Sequence, residues 1–272
     1  MLPREVRTAT AAYLRTADRL VPGQLDGCYL VGSTALGAYR AGRSDIDLIA
    51  VLGPGPLAGA PLLRRLRALH LSQAPRVLTG AVRARGLHAT CNVAFVAADQ
   101  MSRPVSAIEP VASHNGHEFF SRAAFDVNPV MWRVLAERGI TLRGPAARAW
   151  ELDPEPTTLA AWNADNLTRY WQAQLDRIRA GRSPLRPQAV EWNVLGPLRL
   201  HATIATGHVL SKDEAGAYGQ QLFGDHSGIL ATARALLAAG TVPAQPQREH
   251  WRQATAEVMD RVIADAKTLA VG

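Results

Sequence analysis

The chain has 272 residues, 47% of them hydrophobic and 19% charged, with a formal net charge of +7. These proportions exclude a disordered or collagen-like chain and supply one large or two ordinary hydrophobic cores. No stretch of eighteen apolar residues occurs, and Arg4 and Glu5 stand where a secretory leader would be apolar, so neither a transmembrane helix nor a signal peptide is expected and the compartment is read as the cytoplasm. Cys28 and Cys91 lie in apolar runs and read as buried free thiols, too few for a zinc centre. The basic balance favours anionic partners; nucleic acid is not an expected one, because an Arg-rich and Ala-rich composition produces such a charge by itself.

Residues 4 to 20 carry Val6, Ala9, Tyr13, Leu14 and Leu20 at helical spacing and stop at Pro22-Gly23, which predicts an amphipathic helix. A strand is predicted over 27 to 31, a short helix over 34 to 40, and a second strand over 45 to 52, halted by Gly53-Pro-Gly-Pro56. Asp45 and Asp47 are two apart, so the period of a strand puts both carboxylates on one face, with Ile46 and Leu48 on the other. Like charges so close need a counterion, and a hard cation such as Mg2+, shared with phosphate oxygens, is the usual one. Gly32-Ser33 opens the short helix, where backbone N–H groups face an anion.

Gly32, Ser33, Asp45 and Asp47, in this order and spacing and each half preceded by an apolar strand, resemble the signature of the nucleotidyltransferase superfamily, the DNA polymerase beta-like fold. The resemblance covers roughly the first hundred residues. It implies that the phosphates of ATP sit on Gly32-Ser33 with Ser44 nearby, and that Asp45 and Asp47 hold Mg2+. Arg40 and Arg43, flanking the turn, are either triphosphate ligands or surface arginines.

Residues 59 to 73, with Leu62, Leu63, Leu66, Leu69 and Leu71 among arginines, predict a helix covering one sheet face; 76 to 82 and 90 to 96 predict a third and a fourth strand. The superfamily takes its third carboxylate, a metal ligand or general base, from such a strand. Here Asn92 takes that position, and an amide accepts no proton at neutral pH. Asp99 or Glu118, reaching in from a loop, are the candidate replacements. The stretch 113 to 121, with His114, His117 and Glu118, reads as a metal site, an acceptor-recognition loop or an ordinary loop at the domain edge.

A helix follows over 126 to 138, begun by Asn128-Pro129, and then an edge strand at 140 to 143. Gly144-Pro145-Ala-Ala and the acidic, Pro-rich stretch from Leu152 to Thr157 resemble the join between domains in bacterial streptomycin/spectinomycin 3''-adenylyltransferases. The expected organisation is therefore α+β: residues 1 to 152 a nucleotidyltransferase domain with a mixed sheet and flanking helices, 153 to 272 an all-α bundle. Helical patterns cover 157 to 180, 187 to 206, 211 to 222, 226 to 239 and 247 to 269, with Pro197 expected to kink or break the second. Glu191-Trp-Asn-Val-Leu and Thr206-Gly-His-Val-Leu-Ser-Lys-Asp213 resemble the same adenylyltransferases, where Lys212 would meet the triphosphate. Trp192 replaces their Arg, and Glu191 and Asp165 are the main acidic candidates for holding a cationic acceptor.

The resemblance implies a monomeric, Mg2+-dependent nucleotidyl transferase, adenylyl transfer from ATP being the form expected, acting on a small hydroxylated acceptor such as an aminocyclitol antibiotic and so conferring resistance. The alternative is a nucleotide-binding protein of the same fold that lost turnover with Asn92.

Overall fold

The structure is a computed structural model, which describes residues 1–74, 90–116, 118–183, 185–240 and 248–269. The strand expected over 76 to 82 and the side chain of His117 lie outside the described residues. Two compact units divide the chain, Met1–Pro156 and Thr157–Gly272.

The first unit is built on a mixed sheet with helices against it. Among the described residues its strands are β1 (Leu25–Leu30), β2 (Ile46–Leu52), β3 (Cys91–Ala97), β4 (Ala112–Asn115), β5 (Glu118–Ser121) and β6 (Ile140–Arg143), ordered β5-β4-β3-β2-β1-β6. β2 and β3 run parallel, and every other neighbouring pair is antiparallel. The two central strands are covered on both faces, which is why they read as near-continuous Ile, Leu, Val and Ala. Helix α1 (Arg4–Leu20) lays Val6, Ala9, Tyr13 and Ala17 on the core, beside Leu62, Leu66 and Leu69 of α3 (Gly59–Leu71). Cys28 and Cys91 are buried free thiols, and burial pushes the Cys28 thiol up to about 12. The short helix α2, expected over 34 to 40, spans only Gly32–Ala35 and contacts β2 and α4 (Pro129–Arg138). Asn128 caps α4 by accepting the Met131 N–H at 2.9 Å, and Pro129 fills the first helical position.

The described residues of 113 to 121 are not an irregular loop. They belong to the paired strands β4 and β5, disguised in sequence because the buried residues of β4 here, Ser113 and His114, are polar; His114 is fully buried, with a 2.9 Å hydrogen bond between its Nε2 and the Tyr13 hydroxyl.

The second unit is helical throughout its described residues: α5 (Leu159–Asn166), a π-helical turn (Leu167–Trp171), α6 (Gln172–Arg179), α7 (Pro187–Thr206), α8 (Lys212–Leu222), α9 (Ser227–Ala239) and α10 (Arg248–Leu269). The helix expected over 157 to 180 is thus interrupted by one wide turn. α7 runs on through Pro197 rather than breaking there. It is the central helix, packing on α5, α8, α9 and α10, and Val190, Val194, Leu195 and Leu198 enter the core. α8 opens with a capping box in which Ser211 and Glu214 exchange side-chain to backbone hydrogen bonds.

Candidate active site

The bend between β1 and β2 is set by backbone pairing. The Val31 N–H donates to the Asp47 carbonyl at 3.0 Å, so the first turn of α2 lies beside the start of β2. Gly32 has φ +56°, and a Cβ there would fall 2.2 Å from Asp47 Oδ2. Only glycine combines that backbone with so close a carboxylate. Ser33 follows in the same turn, its carbonyl accepting the Ala38 N–H at 2.8 Å. Asp45 is exposed and immediately precedes β2; Asp47 is half-buried, while Ile46 and Leu48 are fully buried. Ser44 closes the adjacent turn, with its hydroxyl accepting the Arg40 N–H at 3.0 Å.

Asn92 stands opposite Asp47 in the parallel β2–β3 register. Its Nδ2 donates to Asp47 Oδ1 at 3.2 Å, and its Oδ1 accepts the Gly116 N–H at 2.9 Å. The amide therefore ties β2, β3 and the β4–β5 turn together at one end of the sheet. Glu118, exposed, pairs with Asn115 at that same end, two strands away from Asn92, a lateral distance of roughly 10 Å. Asp99 cannot substitute for a carboxylate at position 92. It follows the far end of β3, seven residues along, roughly 20 Å away.

The residue that strand-based reasoning missed is Asp126. It precedes the Asn128 cap of α4, the helix that packs on α2, and the Asn128 Nδ2 donates to the Phe125 carbonyl at 2.7 Å, holding this turn. Burial and then the negative charge of Asp45 push its carboxyl up to about 6. Only a search for acids ahead of an Asn-Pro helix start, rather than within a strand, could have found it. Tyr39 also feels Asp45: burial first, then the Glu5 carboxylate, hold its phenol strongly protonated.

Among the described residues no three His, Cys, Asp or Glu side chains converge as a self-sufficient metal cage. What the site offers is hard carboxylate oxygens, Asp45 and Asp47, with Asp126 within electrostatic reach. This donor set suits Mg2+, which keeps waters and completes its shell with phosphate oxygens.

In the second unit, Lys212 Nζ lies 2.8 Å from Glu191 Oε1 and 5.4 Å from the centroid of the Trp192 ring. Asp165, by contrast, is exposed and bonded to Arg169 at 2.6 Å. No described helix is long and apolar enough to cross a membrane.

A crystal structure of spectinomycin adenyltransferase AAD(9) from Enterococcus faecialis, with ATP and spectinomycin, superposes with a TM-score of 0.62 over 94% of this chain and 98% of that one. The fold is that of a nucleotidyltransferase. At 13% identity the likeness is one of nucleotidyltransferase fold, not of individual residues. No family model and no curated protein matches the sequence.

Proposed function

We propose that the protein is a nucleotidyl transferase that moves the nucleotidyl group of an NTP, ATP in the first instance, to a hydroxyl of a small molecule. The observation that carries this reading is the seating of the Asp47 carboxylate against Gly32, which would put a cation ligand beside a phosphate-facing bend. Gly32-Ser33 presents backbone N–H groups to the phosphates, with Ser44 ordering the turn that follows. Asp45 and Asp47 would hold Mg2+, which would supply positive charge against the negative charge developing on the phosphoryl oxygens. The acceptor oxygen attacks the α-phosphorus in line as the bond to pyrophosphate breaks. The acceptor hydroxyl must give up its proton as it attacks, and Asp126, within electrostatic reach of Asp45 and with its carboxyl raised to about 6, would be the base that takes it in place of a carboxylate at position 92.

Calorimetric titration with Mg2+ and ATP tests the binding half, and pyrophosphate release over a panel of hydroxylated acceptors tests turnover. Asp45→Asn and Asp47→Asn should each abolish Mg2+-dependent affinity; unchanged affinity in both would overturn the reading. A second reading, a nucleotide-binding protein without turnover, is favoured by the Asn92 amide donating to Asp47 where a carboxylate would be expected. It predicts tight Mg2+-ATP binding with no pyrophosphate from any acceptor.

A further inference from the structure

The positive balance of the first unit is not spread as composition alone would spread it. Residues 1–156 carry eighteen arginines, no lysine and thirteen acids. Seven of the arginines but only two of the acids lie on α1 and α3, which leaves the rest of the unit balanced at eleven of each. On α1 these are Arg4, Arg7, Arg15 and Arg19, all exposed and, at helical spacing, within roughly a third of the circumference. Arg64, Arg65 and Arg67 are exposed on α3, which packs beside α1 over the same core.

Neither acid offsets this charge. Asp18 accepts both terminal nitrogens of Arg143, at 2.5 and 2.8 Å, and the Glu5 carboxylate accepts the Gly42 N–H at 3.2 Å. The arginines are also set apart from the transfer chemistry. Ile46 and Leu48 enter the core that α1 and α3 cover, so Asp47, between them on β2, faces the other side of the sheet.

The kind of anion follows from what the two helices present. Arg4 and Arg19 are roughly 22 Å apart along α1, the rise of about six base pairs of a duplex. Neither helix exposes an aromatic ring on which an unpaired base could stack, and Leu71 is the one exposed large apolar side chain on either, too little for a helix that inserts into lipid. What recurs is the guanidinium fork, whose planar donors match a phosphate. We infer that the α1–α3 face binds the phosphodiester backbone of a nucleic-acid duplex without reading its sequence, as contacts to phosphate alone do.

The test is fluorescence anisotropy of labelled RNA and DNA duplexes titrated with the full chain, without NTP, over a series of salt concentrations. Binding of either duplex supports the assignment, and the tighter of the two names the source. The logarithm of Kd should rise with the logarithm of salt with a slope of about four or more. Arg15→Gln together with Arg65→Gln should lower that slope by about two and weaken binding at least tenfold at about 50 mM salt. Arg103→Gln together with Arg148→Gln removes the same charge elsewhere and should change affinity less than twofold. Both of those arginines are exposed, and the segments Val105–Ala107 and Ala147–Trp150, beside the first and around the second, pack on α4. Equal weakening by the two double variants would reduce the effect to net charge and overturn the assignment. So would single strands bound as tightly as duplexes, a strong dependence on base sequence, or phosphatidylserine vesicles bound where duplexes are not. Because no NTP is present, these outcomes are independent of the transfer reading.

Discussion

Gly32 faces two independent demands: a left-handed φ of +56° and an Asp47 oxygen 2.2 Å from where a Cβ would stand. Gly32→Ala therefore costs about 1 kcal/mol or more in backbone strain and also drives Asp47 out of position. The expected outcome is a lower melting temperature together with at least a tenfold loss of Mg2+-ATP affinity by calorimetry; a variant that loses stability but keeps full affinity would separate the glycine from the site. Asp126 makes the complementary case. Its carboxyl is raised from 3.8 to about 6 by burial and by Asp45, so the folded chain binds its proton more tightly than the unfolded chain does. Stability from this group is fully present below pH 4 and is lost as pH rises through 6. At neutral pH the ionised acid costs at most roughly 3 kcal/mol. Asp126→Asn should accordingly raise the melting temperature at pH 7, give no gain at pH 4, and depress pyrophosphate release if turnover occurs. An acid kept charged at a cost to the fold is what a functional position looks like.

The sheet shows why some elements were readable and others were not. β2 and β3 announce themselves by apolar runs because both faces are covered, and α4 by its Asn-Pro start. The β4–β5 hairpin does not, since a strand pattern is recognised by apolar alternation and here Ala112, Ser113 and His114 are buried in succession, two of them polar. Asp126 escaped for a related reason: a third carboxylate was sought along β3, whereas the acid that feels the charge of Asp45 lies in the turn ahead of α4. The adjacency of Gly32 and Asp47 was legible only through the superfamily resemblance; the antiparallel pairing of β1 with β2, across α2 and the turns that follow it, is what brings them together. Buried polar strand residues carry their own signature in solution. Burial above all, then the nearby His70, lowers the His114 pKa to about 3, so the folded protein keeps this ring neutral. Its contribution is present above pH 6.5 and is lost as pH falls from there toward 3, by at most about 5 kcal/mol. His114→Gln should lower the melting temperature at pH 7 yet flatten its decline between pH 7 and 4; an unchanged slope would mean that other groups set the acid limit.

At the scale of the whole chain, the stretch from Leu152 to Thr157 joins units with separate cores, and its Pro-rich, acidic composition reads as a turn-rich break between domains. Its backbone is instead pinned to the first unit. Val105 N–H donates to the Asp153 carbonyl at 3.1 Å, and the backbone N–H and hydroxyl of Ser106 donate to the Glu155 carboxylate at 2.6 and 2.9 Å. Glu155 has φ +49°, a left-handed conformation that costs a side-chain-bearing residue roughly 1 kcal/mol. A strained residue persists only when surrounding bonds over-determine it, and here the Ser106 contacts act together with the Glu155 N–H, which donates to Asp153 Oδ1 at 2.9 Å. Two substitutions separate these effects. Glu155→Ala keeps the strain and loses the bonds, and should raise the rate of cleavage between residues 152 and 157 by a nonspecific protease several-fold. Glu155→Gly loses the same bonds but relieves the strain, and should be cut at a rate between those of the alanine variant and the wild type. If the two variants were cut equally fast, backbone strain at this join would be negligible; if neither were cut faster than the wild type, the Ser106 contacts would not be what holds the segment down.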